Sequence, residues 1–238
     1  MIIEDIDIDG FKFVNIGGEV NIVRHDKKEI EIECKDEDKL VVHEKEGIIH
    51  IMHNQGEFKE IRRSFINRIF NKSLKLNIPF YSSYIDNNND ITIYNQLTTH
   101  ITIYVPYDIV EYIYIDGNLH LYGDDFTSFL KIYAKGNNKI DIDNIKNVYV
   151  DGLGQTECLL NDCCNISMYF NGKTYVKINS KFITNLYLKS KGELNAHVFG
   201  KVNDFSCDVV GVSTIDILGE VTSKRVKRAG LSKITIQS

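Results

Sequence analysis

The residues of this chain whose types best fit catalysis are His120, Asp124 and Asp125. Two carboxylates held across a glycosidic bond can serve as acid and base, and a histidine beside them can relay the proton. Adjacent acids alone set no productive separation, so the same residues read more simply as a solvated turn. The other histidines, His25, His43, His50, His53, His100 and His197, show no triad spacing in sequence. Asp5, Asp7, Asp9 and Gly10 open like a calcium loop, but Ile16 stands where the bidentate Glu belongs, and Ile6 and Ile8 between the acids look like strand residues. Gly152-Leu153-Gly154 lacks the Lys-Ser/Thr ending of a phosphate loop. Cys34, Cys158, Cys163, Cys164 and Cys207 are odd in number and lack the spacing of a zinc site or a disulfide framework, so they read as small apolar side chains. No catalytic residue, metal or cofactor is expected.

The elements that would carry any site follow from composition and repeats. Among 238 residues, Ile occurs 34 times, Ala three times, Pro twice and Trp never, a usage that favours pleated strands over helices. One large domain over 1–238 is the expectation. Gly117, Gly136, Gly154, Gly172, Gly192, Gly211 and Gly230 stand 19, 18, 18, 20, 19 and 19 residues apart. Four residues before each glycine the side chain is apolar or Cys; four and six residues after it is apolar everywhere except at Gly123. This two-residue alternation gives each unit the form strand, glycine turn, strand. A unit this short cannot bury its inward face alone, whereas stacked copies can. The spacing predicts a parallel β-helix of about seven rungs over 97–238. Residues 1–53 hold alternating runs without that period and read as an N-terminal sheet of strands that joins or caps the coil. In the insertion 54–96, Phe58, Ile61, Phe65, Ile66, Ile69 and Phe70 recur at helical spacing, with Lys59, Arg62, Arg63, Arg68 and Lys72 elsewhere around the wheel. That pattern predicts a short amphipathic helix over 54–75 that covers the coil or meets a membrane or partner. Asp86 to Asp90 mark a loop.

The opening and the units resemble a known family. Ile8-Asp9-Gly10-Phe11, Glu46-Gly47-Ile48-Ile49-His50-Ile51, Thr102-Ile103-Tyr104-Val105-Pro106 and the glycine-centred units are similar to segments of the bacterial auto-transporter adhesins that carry the head GIN domain. Only Asp151-Gly152-Leu153-Gly154 keeps the two-glycine centre usual in that family's repeats. The resemblance implies a right-handed β-helix, a cell-envelope or secreted role, and no catalytic residues. The chain as given lacks a signal peptide's basic head and apolar body, which by itself suits the cytoplasm, as do the unpaired cysteines.

Outward parity then singles out a surface. Three or five residues before the ladder glycines stand Tyr112, Tyr114, Tyr133, Tyr149, Tyr169 and Tyr187. In register they form one aromatic field on a sheet face, flat and amphipathic enough to bind a glycan or a protein. The simpler reading is that the rings stabilise the sheet or lie beneath residues 54–75. In the last two units Ser206, Asp208, Arg225 and Lys227 take these places. Lys224, Arg225, Lys227 and Arg228 form a basic edge that discourages end-to-end pairing. A net charge of -5 offers no general attraction for nucleic acid, and no apolar run reaches membrane-spanning length. The expected function is a noncatalytic, adhesion-like binding module. A self-assembling structural protein, joined through a coil end or sheet edge, and a polysaccharide-active enzyme are the alternatives.

Overall fold

Alternation of apolar and polar residues gives a strand one buried face, and a solenoid forms when such strands stack in phase. The computed structural model describes residues 1–3, 8–35, 40–53, 81–85, 91–95, 97–107, 110–126 and 129–237. The expected helix over 54–75 and the loop 86–90 lie outside these residues. The elements are β1 (Ile2–Ile3), β2 (Gly10–His25), β3 (Ile30–Cys34), β4 (Leu40–Lys45), β5 (Ile48–His53) and β6 (Tyr81–Ile85), then β7 (Ile91–Asn95), β8 (Leu97–Pro106), β9 (Tyr112–Gly123), β10 (Phe129–Asp143), β11 (Asn147–Asn161), β12 (Asn165–Leu218) and β13 (Val221–Gln237). No helix occurs among the described residues.

The chain is an all-β parallel solenoid, as the glycine spacing predicts. Strands β9 to β13 pair in parallel with their sequence neighbours, and β12, 54 residues long, holds the three rungs around Gly172, Gly192 and Gly211 without a break. The glycines lie in one column: Gly117 pairs with Gly136, Gly136 with Gly154, Gly154 with Gly172, and Gly211 with Gly230. From Gly136 onward each takes a positive φ, between 104° and 138°, which a side chain would resist. A Cβ at Gly172 would stand 2.0 Å from the Gly154 carbonyl oxygen, so the corner has no room for one. A second corner lies eight residues further on. There Asp125, Asn144 and Asp162 adopt φ near 50–57°, and Gly200 and Gly219 take the same role at 130° and 148°. Asp and Asn tolerate this conformation better than other side chains, which explains their use.

The N-terminal segment is strand-rich and joins the coil. Strand β2 is itself a rung, paired in parallel with β9 from Gly10 against Tyr112 to Ile22 against Gly123. An extra residue between Val14 and Gly17 forms a bulge there. On its other side β2 meets a rung made of two pieces, β5 against Gly10–Val14 and β8 against Ile16–His25. Strand β4 then pairs antiparallel with β5, β3 with β8, and β1 with β3, closing this end with reversed strands. Strands β6 and β7 form a separate antiparallel pair.

The core is a set of inward columns running the length of the stack. Phe11, Ile113, Ile132, Val150, Met168, Leu188 and Cys207 are buried in one, and Val20, Leu121, Ile140, Cys158, Val176, Ala196 and Ile215 in another. Each fully buried Ile or Leu contributes about 1.5–3 kcal/mol. The exception at Gly123 has a physical reason: a Cβ there would lie 2.4 Å from the Phe126 ring, which enters the interior from the corner and fills the missing volume. At the far end Val226 and Leu231 of β13 are 38% and 78% exposed.

Candidate functional site

The tyrosines lie on the face of the sheet that precedes the glycine column. Register puts Tyr114 opposite Tyr133, whereas Lys131 lies opposite both Tyr112 and Tyr149, and Asp151 opposite Tyr133 and Tyr169. The six residues therefore occupy two outward columns, and each ring meets the next along its strand (Tyr112–Tyr114), along a column (Tyr114–Tyr133) or on a diagonal. Centroid distances are 6.4 Å for Tyr112–Tyr114, 5.0 Å for Tyr114–Tyr133, 5.9 Å for Tyr133–Tyr149, 5.1 Å for Tyr149–Tyr169 and 5.3 Å for Tyr169–Tyr187. The first three rings are nearly parallel, with interplanar angles of 10° and 8°. The structure thus brings all six together into one continuous zigzag, each ring half-buried.

Charged residues occupy the gaps. The Lys131 ammonium lies 4.9 Å from the Tyr112 ring centre and donates to its hydroxyl at 3.4 Å. Burial, then the neighbouring Tyr133 and Tyr112, raise the Tyr114 phenol above its usual value; burial, then the Asp151 carboxylate, raise Tyr149. These two rings stay neutral donors at ordinary pH. Where the row ends, a cavity of 300 Å³ opens beside Tyr169, with Asp151, Lys189, Asp208 and Val210 in its wall. The tyrosine parity shows in the sequence, but Lys131 and Asp151 gain their place only through the register.

The acid–base candidates make separate contacts. His120 packs on Tyr122 at 3.7 Å between ring centres, and burial, then the Lys139 charge, lower its pKa. Asp125 is a second-corner residue; its backbone N–H donates to the Asp124 carboxylate at 2.7 Å, and its own carboxylate accepts from the Asn144 amide. Both carboxylates are engaged in shaping the turn. A related ladder was not foreseen: the Asn165 amide donates to Asn147 at 2.9 Å and the Asn185 amide to Asn165 at 2.7 Å, tying three rungs at one edge. Its signal in the sequence is an Asn seven residues before three successive ladder glycines.

The cysteines sit as packing residues. Cys158, Cys163 and Cys207 are buried; burial raises the Cys158 thiol far above its usual range, Cys163 to about 12 and Cys207 to about 11. The Cys163 backbone N–H donates to the Ser180 hydroxyl at 2.8 Å. Among the described residues no helix is long and apolar enough to cross a membrane.

No protein-family profile and no curated protein matches this chain. The fold does have solved counterparts. A candidate adhesin from Bacteroides fragilis superposes with a TM-score of 0.67 at 14% identity, covering 99% of this chain and 95% of that one. At that identity the likeness shows the fold. A candidate adhesin from Parabacteroides merdae covers 100% of this chain and 95% of its own at 12% identity, with a TM-score of 0.47.

Proposed function

We infer that this protein is a noncatalytic, adhesion-like binding module that presents the tyrosine field as a rigid face to a protein or glycan partner. The observation that carries this reading is the unbroken row of six half-buried rings from Tyr112 to Tyr187. Aromatic rings fixed by their neighbours offer large amphipathic contact area at little cost in side-chain entropy. The near-parallel packing of Tyr112, Tyr114 and Tyr133 turns ring faces toward each other, which suits a protein surface better than stacking on a sugar ring. The resemblance to auto-transporter adhesins with the head GIN domain and the shared fold of the Bacteroides fragilis candidate adhesin support it. A cell-envelope or secreted setting belongs to the same reading.

The test is binding of the wild type and a Tyr133→Ala/Tyr169→Ala double variant to arrays of glycans and of immobilised extracellular matrix proteins. Selective binding by the wild type, lost in a double variant with an unchanged circular dichroism spectrum, is the expected result. Equal binding by both would remove the tyrosine field from the function.

Self-assembly has one observation in its favour: among the described residues β13 pairs only with β12, and its Val226 and Leu231 are exposed. Concentration-dependent growth of a large species in sedimentation velocity would favour that reading.

A further inference from the structure

Beyond the glycine column, on the sheet that does not carry the tyrosines, the surface is hollowed into a trough. Its cavity measures 530 Å³ and reaches from Gly18 of β2 to Asn195 of β12. It crosses six successive rungs, so at the spacing of paired strands it runs about 24 Å along the solenoid axis. The floor is backbone: Leu119, Asn138, Thr156 and Thr174 turn their side chains inward and are buried. The buried Asn138 side-chain Oδ1 locks that floor by accepting from the Leu119 N–H of the preceding rung at 3.0 Å. Outward residues one and three positions after the glycines form the two walls.

The chemistry of the walls is polar without net charge. Lys139 pairs with Glu157 at 4.0 Å along one wall, and Lys173 with Glu193 at 3.4 Å along the other. His120 at one end is held toward its neutral form by burial. The exposed amides of Asn137, Gln155 and Asn195 line the remainder, each able to donate and accept. Tyr175, 36% exposed, supplies the aromatic surface, its ring tilted against His197 at 5.9 Å. Phosphate or carboxylate polymers need an uncompensated positive groove, and each lysine here already has a carboxylate beside it. Paired amide donors and acceptors with one aromatic surface match vicinal hydroxyls on an apolar ring.

We propose that this trough binds a neutral, linear glycan laid along the solenoid axis, at a site separate from the tyrosine field. Its length admits a chain of several sugars, and its succession of amides and rung-bridging ion pairs recognises an extended polyhydroxylated ligand. The register fixes the spacing of these groups, so little ordering is required on binding.

The experiment is calorimetric titration of the full chain with neutral hexasaccharides (cello-, manno- and xylo-oligomers) and with hexagalacturonate as the anionic control. Tyr175→Ala and Asn137→Ala/Gln155→Ala are the trough variants, and Tyr133→Ala/Tyr169→Ala reports on the other face. We expect a neutral hexamer to bind with little dependence on salt and to weaken by roughly tenfold in Tyr175→Ala, the loss of one aromatic contact and its area. The side-chain amide NMR signals of Asn137, Gln155 and Asn195 should shift, and the tyrosine-field variant should bind as wild type does. Absence of binding by every neutral hexamer overturns the proposal. So does stronger, salt-sensitive binding of hexagalacturonate, or a loss confined to the tyrosine-field variant. Neither of the first two results bears on the tyrosine field, whose test uses the other face.

Discussion

Replacing Gly172 by alanine tests whether the rungs stack backbone on backbone. The added Cβ would lie 2.0 Å from the Gly154 carbonyl oxygen and 2.9 Å from its carbonyl carbon, and the residue would keep a φ of 138°. An L side chain in such a conformation costs about 1–2 kcal/mol. Carbon and oxygen settle near 3.3–3.6 Å even in close contacts, so the rungs must part by roughly 1.3 Å. That shift stretches the flanking ladder hydrogen bonds beyond useful length, and two bonds at about 1 kcal/mol each add about 2 kcal/mol. The expected loss is about 3–4 kcal/mol, or a fall in Tm of roughly 6–16 °C for a domain of this size. Urea unfolding followed by circular dichroism, with the exposed Leu153→Ala as control, measures it. A Gly172→Ala protein within about 1 kcal/mol of wild type would refute the argument, because the corner would then have slack the geometry does not show.

Ile140→Asp places a charge without a partner in a fully buried column and should cost more than about 4 kcal/mol, whereas Lys139→Ala, next to it but outward, should stay within about 0.5 kcal/mol; thermal melts distinguish them. Phe126→Ala should cost about 3–5 kcal/mol in the same assay, and Phe126→Ala/Gly123→Val should lose less than the sum of the single changes, since valine refills the space the ring leaves. Native alkylation at pH 8 should label the half-buried Cys34 and Cys164 first; with Cys207 raised to about 11, only about one thiol in a thousand there is ionised. Burial raises Tyr114, Tyr122 and Tyr149 in the folded state, and the Glu33 carboxylate raises Tyr104, so stability should begin to fall as pH rises through the unfolded tyrosine value, and absorbance of the phenolates should show a late-titrating fraction that disappears on unfolding.

The solenoid was legible because one corner demands one residue type: no side chain fits where Gly172 meets Gly154, so the period survives in the letters. The second corner takes a positive φ from residues of different types, Asp125, Asn144, Asp162 and Gly200 among them, and its column is invisible to a search for one repeated residue. Strand β2 hides its phase behind a single bulge residue, which makes Phe11 and Val20 nine positions apart where Ile113 and Leu121 are eight. The pairing of β5 and β8 on one rung could not be read at all, because parallel pairing leaves no mark across so long an excursion. For the surface, parity placed the tyrosines on one face, but their zigzag depends on which rung carries which column. The trough gave no signal, since its amides and ion pairs are the residues any solvated strand would show.

The two-piece rung sets a calendar for folding during synthesis. From β9 onward every strand emerges from the ribosome with its template already made, and the stack can lengthen one turn at a time. The other end cannot. Strand β2 appears early, yet its covering rung is complete only once β8 has left the ribosome, and β3 waits for the same event because it pairs with β8. The N-terminal end therefore stays open until about residue 106 is free, the stage at which a bound chaperone or a misplaced second strand would find an unpaired edge.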